Sequence, residues 1–148
     1  PIAMGELFNN PHEWVDLIVN RYIDYIRVHI SQIGGLTPAR KLAALAEAFQ
    51  VRTAWHGPGD VSPVGHAANA HLDLAVHNFG IQERVLFDEK TQEVFSGCPT
   101  MNNGYMYVLE APGWGVGITD AAAAKYPLPD HPGYWNPIRR RDGTSVRP

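Results

Sequence analysis

The stretch "DYIRVHISQIGGLTPARKLAALAEAFQVRTAWH", Asp24 to His56, decides the fold. In Asp24–Ile30 the residues Ile26, Val28 and Ile30 alternate with Tyr25, Arg27 and His29, the period of two of a β-strand. Gly34 and Gly35 then read as a loop, with Thr37 the expected N-cap of a helix and Pro38 its first residue. Leu42, Leu45, Ala46 and Phe49 fall at i, i+3, i+4 and i+7, one face of that helix. Val51–His56 returns as a strand. A strand, a helix and a strand at this spacing form a βα unit of a parallel sheet, because parallel neighbours need a crossover between them.

The pattern extends both ways. Upstream, Ile2–Glu6 reads as a strand and Pro11–Tyr22 as a helix with Trp14, Leu17 and Ile18 on one side. Downstream, His66–Asn78 reads as a helix whose apolar face runs through Leu72, Ala75, Val76 and Phe79, and Gly80–Glu83 as a fourth short strand. After Glu83 the pattern changes. "GYMYVLEAPGWGVGI" alternates like an extended ribbon broken by a Pro-Gly turn, and the rest is rich in Pro and Gly, with a solvated arginine run at Arg139–Arg141. The expected division is therefore residues 1–83, built of βα units, and residues 84–148, an extension that wraps over something else.

At 148 residues the chain has the size of one domain. A net charge of −3 disfavours nucleic acid and anionic membrane as partners. Cys98 is the only cysteine, so no internal disulfide forms, and no leader or apolar span is evident. A cytoplasmic protein is expected. The chain opens directly on a strand, "PIAMGE", which reads as part of a longer polypeptide.

In a parallel barrel, catalytic groups gather at the C-terminal ends of the strands, on the inward face. Alternation places Ile2, Met4 and Glu6 on one side of the first strand and Tyr25, Arg27 and His29 on one side of the second. The third ends in His56 beside Ala54, the fourth in Glu83 beside Ile81. Each strand thus finishes on an inward ionisable group. A lone terminal glutamate is ordinarily a surface residue, and His29 reads as a hydrogen-bonded core histidine. Arg27 is harder to dismiss, because a buried guanidinium needs either a carboxylate such as Glu6 or Glu83 or an anionic ligand. His66, His71 and His77 scatter around their helix and make no metal face. Gly34-Gly35 before a helix could cradle a phosphate, though a connecting turn explains them as well.

"GELFN", "IDYIRVHISQIGGLT", "RTAWHGPGDVSP", "NFGIQE" and "APGWGVGI", in this order, resemble the D-mannonate dehydratase subgroup of the enolase superfamily (mandelate racemase/muconate lactonizing type). The resemblance runs over nearly the whole chain but covers only the C-terminal half of such an enzyme. It implies an α/β fold: the C-terminal half of a modified TIM-type (β/α)7β barrel, strands five to eight, with a C-terminal tail that packs on an N-terminal capping domain. It further implies Mg2+, held by three carboxylates of which Glu6 is the one in this chain, since a single carboxylate does not complete an octahedral shell. The reaction implied takes the α-proton of an acid sugar and expels its 3-hydroxyl, giving from D-mannonate or D-gluconate the 2-keto-3-deoxy acid. Glu6, Arg27, His56, Asp60 and Glu83 would bind substrate. The family's main acid and base groups lie outside this sequence, but other sugar-acid dehydratases of the superfamily use a histidine at the seventh strand, so His56 is also a candidate acid or base.

Efficient enzymes of the subgroup carry "HGATD" where this chain has "HGPGD", which implies low efficiency through Pro58-Gly59. The alternative reading is a catalytically weak sugar-acid-binding or regulatory homologue; a third is an unrelated barrel binding phosphate at Gly34-Gly35. Expected partners are a small acid sugar, the N-terminal half of the enzyme and further copies in a homo-oligomer.

Overall fold

A computed structural model describes residues 1–128, 130 and 138–146. Three short parallel strands, β1 (Ala3–Met4), β2 (Tyr25–Ile26) and β3 (Arg52–Thr53), lie in that order, with Ala3 opposite Tyr25, Met4 opposite Ile26, and Ile26 opposite Thr53. The backbone bonds run beyond these ladders: Arg27 N–H donates to Met4 O, Ala54 N–H to Ile26 O and His56 N–H to Val28 O. This continuation carries the strand ends to the site.

Between the strands the chain forms a 3-10 turn, Pro11–Glu13, followed by α1 (Val15–Val19), in place of one long helix over Pro11–Tyr22. Asn10 and Glu13 form a reciprocal capping box that fixes the turn at this point. α2 (Leu36–Ala48) starts two residues earlier than its sequence suggests, with Gly35 rather than Thr37 as N-cap. Gly35 takes φ 95°, a conformation cheap only for glycine, and Pro38 then falls within the first turn, where an N–H is not needed. α3 (Pro63–Ala75) likewise starts earlier than His66, because Ser62 accepts from Gly65 N–H and Pro63 takes the first position. It ends where Val76 becomes extended. Asn78 then staples the exit, donating to Ala43 O (3.1 Å) and Val51 O (2.9 Å).

The helices pack on the outer face of the sheet. Ile26, Val28 and Trp55 are fully buried against Trp14, Ile18, Leu42, Ala46 and Leu72, with Leu45, Phe49 and Val76 at the margin. Asp73 of α3 also lies toward this layer. Burial pushes its carboxyl up to about 8; the Trp55 indole opposes that only in part, as Trp55 Nε1 and Asp73 Oδ1 form no hydrogen bond of normal geometry.

Two expectations for the inner face change. Met4 stands in register with Ile26, so it lies on the face opposite Arg27; φ 128° at Gly5 resets the alternation, and Glu6 still reaches Arg27. Gly80–Glu83 forms no ladder. Phe79 makes a single parallel bridge to Thr53, and Gly80 and Ile81 both donate to Thr53 O, which breaks the strand pattern. Gly80 is required there, since a Cβ would stand 2.5 Å from the Tyr25 ring.

Beyond residue 83, Asp88 caps α4 (Glu89–Val94). β4 (Phe95–Ser96) pairs antiparallel with β7 (Gly117–Ile118), and β5 (Thr100–Asn102) with β6 (Tyr105–Tyr107). The ribbon expected over Tyr105–Ile118 is thus divided between two partners. Asn103 and Gly104 at φ 50° and 80° supply the β5–β6 hairpin turn, and the chain bends at Pro112-Gly113, with Gly113 at φ 71°, where the ribbon was expected to break. α5 (Asp120–Ala123) follows, and β8 (Ile138–Arg139) pairs with β9 (Ser145–Val146). Arg140 and Arg141 are exposed, as expected of that run. No helix among the described residues is long and apolar enough to cross a membrane.

Candidate functional site

Glu83 is the centre of the cluster at the strand ends. Arg27 Nη2 donates to both its oxygens at 2.8 Å, His56 Nδ1 lies 2.7 Å from Oε2, and the Gly57 backbone N–H donates to Oε2 at 3.0 Å. Arg27 Nη1 also pairs with Glu6. Four of the residues read from the sequence, Glu6, Arg27, His56 and Glu83, are therefore joined in one network.

The charges follow from these bonds. Burial alone would raise the Glu83 carboxyl, but the Gly57 N–H, Arg27 and His56 together hold it at about 2, so it is ionised at every physiological pH. Burial pulls the Arg27 guanidinium the other way, yet its bonds to Glu83 and Glu6 raise it above its ordinary value. An ionised carboxylate only accepts, so His56 Nδ1 must carry a proton. In neutral His56 the lone pair then resides on Nε2, the atom free to take a proton or accept a hydroxyl.

His29 is buried next to this group. Its ring stands edge-on to His56 with centroids 5.9 Å apart, and its Nδ1 accepts the Ser31 N–H at 3.2 Å. Burial lowers its basicity; Asp60 pulls against that and His56 adds to it. The expectation of a hydrogen-bonded core histidine fits this geometry. Asp60 itself is exposed, on the loop after Gly57, outside the network but near enough for its charge to act on His29.

The loop after His56 is anchored from behind by residues whose sequence pattern gave no hint of it. Asn69 Nδ2 donates to His56 O (3.4 Å), and Gln82 Nε2 to Trp55 O (3.1 Å) and Glu83 O (2.6 Å). His66, one of the three scattered helix histidines, is completely buried, with Nε2 3.3 Å from Pro58 O. The usable signal was position: His66 lies in the first turn of the helix that follows the loop. His71, by contrast, packs on Trp114 (5.6 Å between ring centroids), and His77 is exposed.

Among the described residues no three His, Cys, Asp or Glu side chains gather into a metal cluster. Glu6 is half exposed and offers hard carboxylate oxygen. Glu6 and Glu83 against Arg27 leave one excess negative charge when His56 is neutral, which suits a cation at Glu6 with ligands from elsewhere.

Comparison with known proteins locates the chain. A family model described as enolase C-terminal domain-like matches residues 1–122. The chain is similar to a D-galactonate dehydratase family member of Enterocloster bolteae, 56% identical over 148 residues, 100% of this chain and 37% of that protein. It is also similar to a crystal structure of an enolase from Pantoea ananatis with bound D-gluconate and magnesium: TM-score 0.88, 55% identity, 100% of this chain and 36% of that one. A mandelate racemase/muconate lactonizing enzyme from Jannaschia sp. aligns over 87% of this chain and 32% of its own, with TM-score 0.76 and 27% identity. The chain spans about a third of the length of these relatives. Its α/β architecture is that of the C-terminal half of a modified TIM barrel, and the chain belongs to the enolase C-terminal domain-like family.

Proposed function

We propose that this chain is the substrate-binding portion of a magnesium-dependent acid-sugar dehydratase, a hydro-lyase converting D-mannonate or D-gluconate to 2-keto-3-deoxy-D-gluconate at low efficiency. The observation that carries the reading is the network centred on Glu83, which fixes Arg27, His56 and the Gly57 N–H at adjoining strand ends. The names of relatives support the chemical class: one is a D-galactonate dehydratase family member, and another was solved with D-gluconate and magnesium.

In this reading Glu6 is the metal ligand supplied by the chain, and magnesium bound there would stabilise negative charge developing on the substrate carboxylate. Arg27, already turned toward Glu6 and Glu83, orients an oxygen of the acid sugar. Asp60, exposed on its loop, accepts from substrate hydroxyls. Glu83 also accepts from a hydroxyl and, being ionised, keeps the proton of His56 on Nδ1. His56 Nε2 then accepts a hydroxyl proton from substrate or, once protonated, returns one to a departing hydroxyl. The residues after 83 form the extension that returns to a capping domain. The remaining ligands and the principal acid and base come from the N-terminal part of a cytoplasmic homo-oligomer.

The test is to incubate the full-length protein with magnesium and D-mannonate, D-gluconate or D-galactonate and assay for the 2-keto-3-deoxy acid. Slow turnover of the first two supports the proposal. Binding of an acid sugar without turnover of any would overturn it in favour of a sugar-acid-binding homologue. Exchange of Pro58-Gly59 for Ala-Thr is expected to raise kcat/KM for D-mannonate.

A further inference from the structure

We infer that His66 is a positioning residue for the substrate loop, holding the segment Gly57–Asp60 against Glu83 through the carbonyl of Pro58. The inference rests on the dehydratase reading for its kinetic consequences but not for its structural ones.

His66 sits on α3 with no exposed surface. Its Nε2 lies 3.3 Å from Pro58 O, and a carbonyl only accepts, so Nε2 carries the proton and donates. That leaves Nδ1 unprotonated, buried and without a partner among the described residues. Burial favours the neutral ring, lowering its basicity, although Pro58 O pulls the other way. A buried histidine with one nitrogen unsatisfied is a costly choice for a core position. A methionine or leucine would fill the volume without that cost, so the Nε2–H is the feature the site gains.

The ring is held on its other sides. Phe87 meets it edge to face, with centroids 5.1 Å apart, and a Cβ on Gly57 would approach its Cε1 to 3.1 Å. His66 therefore bonds to one residue of the loop through its donor and leaves no room for a side chain at the residue before it. Pro58 O also accepts Val61 N–H at 3.1 Å. The two bonds together direct the peptide after Pro58 inward, toward the helix. The same peptide sets the course of the chain to Asp60, and the Gly57 N–H just before it is the one bonded to Glu83. Loss of the His66 donor leaves the Pro58 carbonyl tied by the Val61 turn alone, and Asp60 and the Gly57 N–H on either side of it gain freedom.

Two variants of the full-length protein separate this from a plain packing role. His66→Gln retains a side-chain N–H able to reach Pro58 O; His66→Met retains volume without a donor. Hydrogen exchange of the peptide covering residues 55–62 reports the loop whether or not the protein is an active dehydratase. Exchange about tenfold faster in His66→Met, and near wild type in His66→Gln, is expected. With an acid sugar turned over by wild type, kcat/KM should fall at least tenfold in His66→Met with most of the loss in kcat, as expected for a site loosened by a fraction of an ångström. His66→Gln should recover to within about threefold of wild type. Should His66→Met fail to fold, His66→Asn, too short to reach the carbonyl, takes its place with the same expectation. Equal exchange in the donor and non-donor variants, or losses that track only their melting temperatures, would overturn the inference. Absence of turnover in wild type would sink the dehydratase reading and leave the exchange result to decide the role of His66.

Discussion

The chain up to Glu83 and the chain after it are stabilised differently. In the first region helices pack over the outer face of the sheet, and Ile18, Ile26, Val28, Val51 and Trp55 are essentially inaccessible. In the second, two-stranded pairs of two or three residues carry large side chains that remain in the open: Tyr105 is 70% exposed, Tyr107 54% and Ile118 60%. Isolated two-stranded pairs are marginal in water. The first region supplies its own core; the second presents a surface suited to being covered. The contrast teaches where the site's precision comes from: its residues lie at the ends of the region that holds the core.

The comparison is tested most severely at Gly57. A Cβ there would fall 2.3 Å from Glu83 O and 3.1 Å from His66, so Gly57→Ala must displace backbone. In the full-length protein we expect acid-sugar turnover to drop on the order of a hundredfold, because a shift of about 1 Å in such a site costs that much. Steady-state kinetics would check it; a near-wild-type rate would mean that the site is not held by the packing described.

The core of the first region makes a pH prediction through Asp73. Its folded-state value, about 8, exceeds its ordinary 3.8, so between these pH values the folded protein binds more protons than the unfolded. Stability from this group is fully present below pH 3.8 and is lost as pH rises toward 8, by a few kcal/mol in order of magnitude. Asp73→Asn should flatten that slope and be more stable than wild type at pH 8, read from urea midpoints of the full-length protein at pH 5 and pH 8.

The second region is probed by Tyr107→Ala in the full-length protein. If its exposed face is covered by the rest of the enzyme, the loss should reach about 1–3 kcal/mol; an uncovered surface residue would change stability by no more than about 0.5 kcal/mol. Thermal melts distinguish the two. The smallest effect is expected at Gln50, which closes α2 at φ 61° with its N–H bonded to Glu47 O. Gln50→Gly relieves the left-handed backbone and should stabilise by a few tenths of a kcal/mol up to about 1 kcal/mol, seen as a small rise in melting temperature.

Local rules made much of the first region legible. The alternation around Arg27 and the i, i+3, i+4, i+7 face of α2 describe what the chain does, because each expresses burial against a single layer. The α2 cap was misread, since Thr37 has the right chemistry but Gly35 has the backbone freedom that the turn demands. The face of Met4 was misread because one positive φ at Gly5 resets a period that sequence alone treats as continuous. At the site, the ionisable strand ends were visible as residue types, and the resemblance supplied their roles. That Glu83 would be their common partner depends on a contact across 56 positions with Arg27, which no local period encodes. His66 was passed over for a related reason: helical spacing tests whether histidines face one another, and this one faces a carbonyl of the preceding loop.

The "HGPGD" loop has an uneven tolerance for change. Gly57 is confined on two sides, whereas the nearest contact for a Cβ on Gly59 is an ordinary 3.7 Å to Val85, and Pro58 takes part through its carbonyl, an atom every amino acid possesses. A protein engineer therefore has two adjacent positions of the loop to rewrite, immediately beside one that must be left alone. Two neighbouring side chains of this loop can be replaced with the fold and the charge network carried through unchanged.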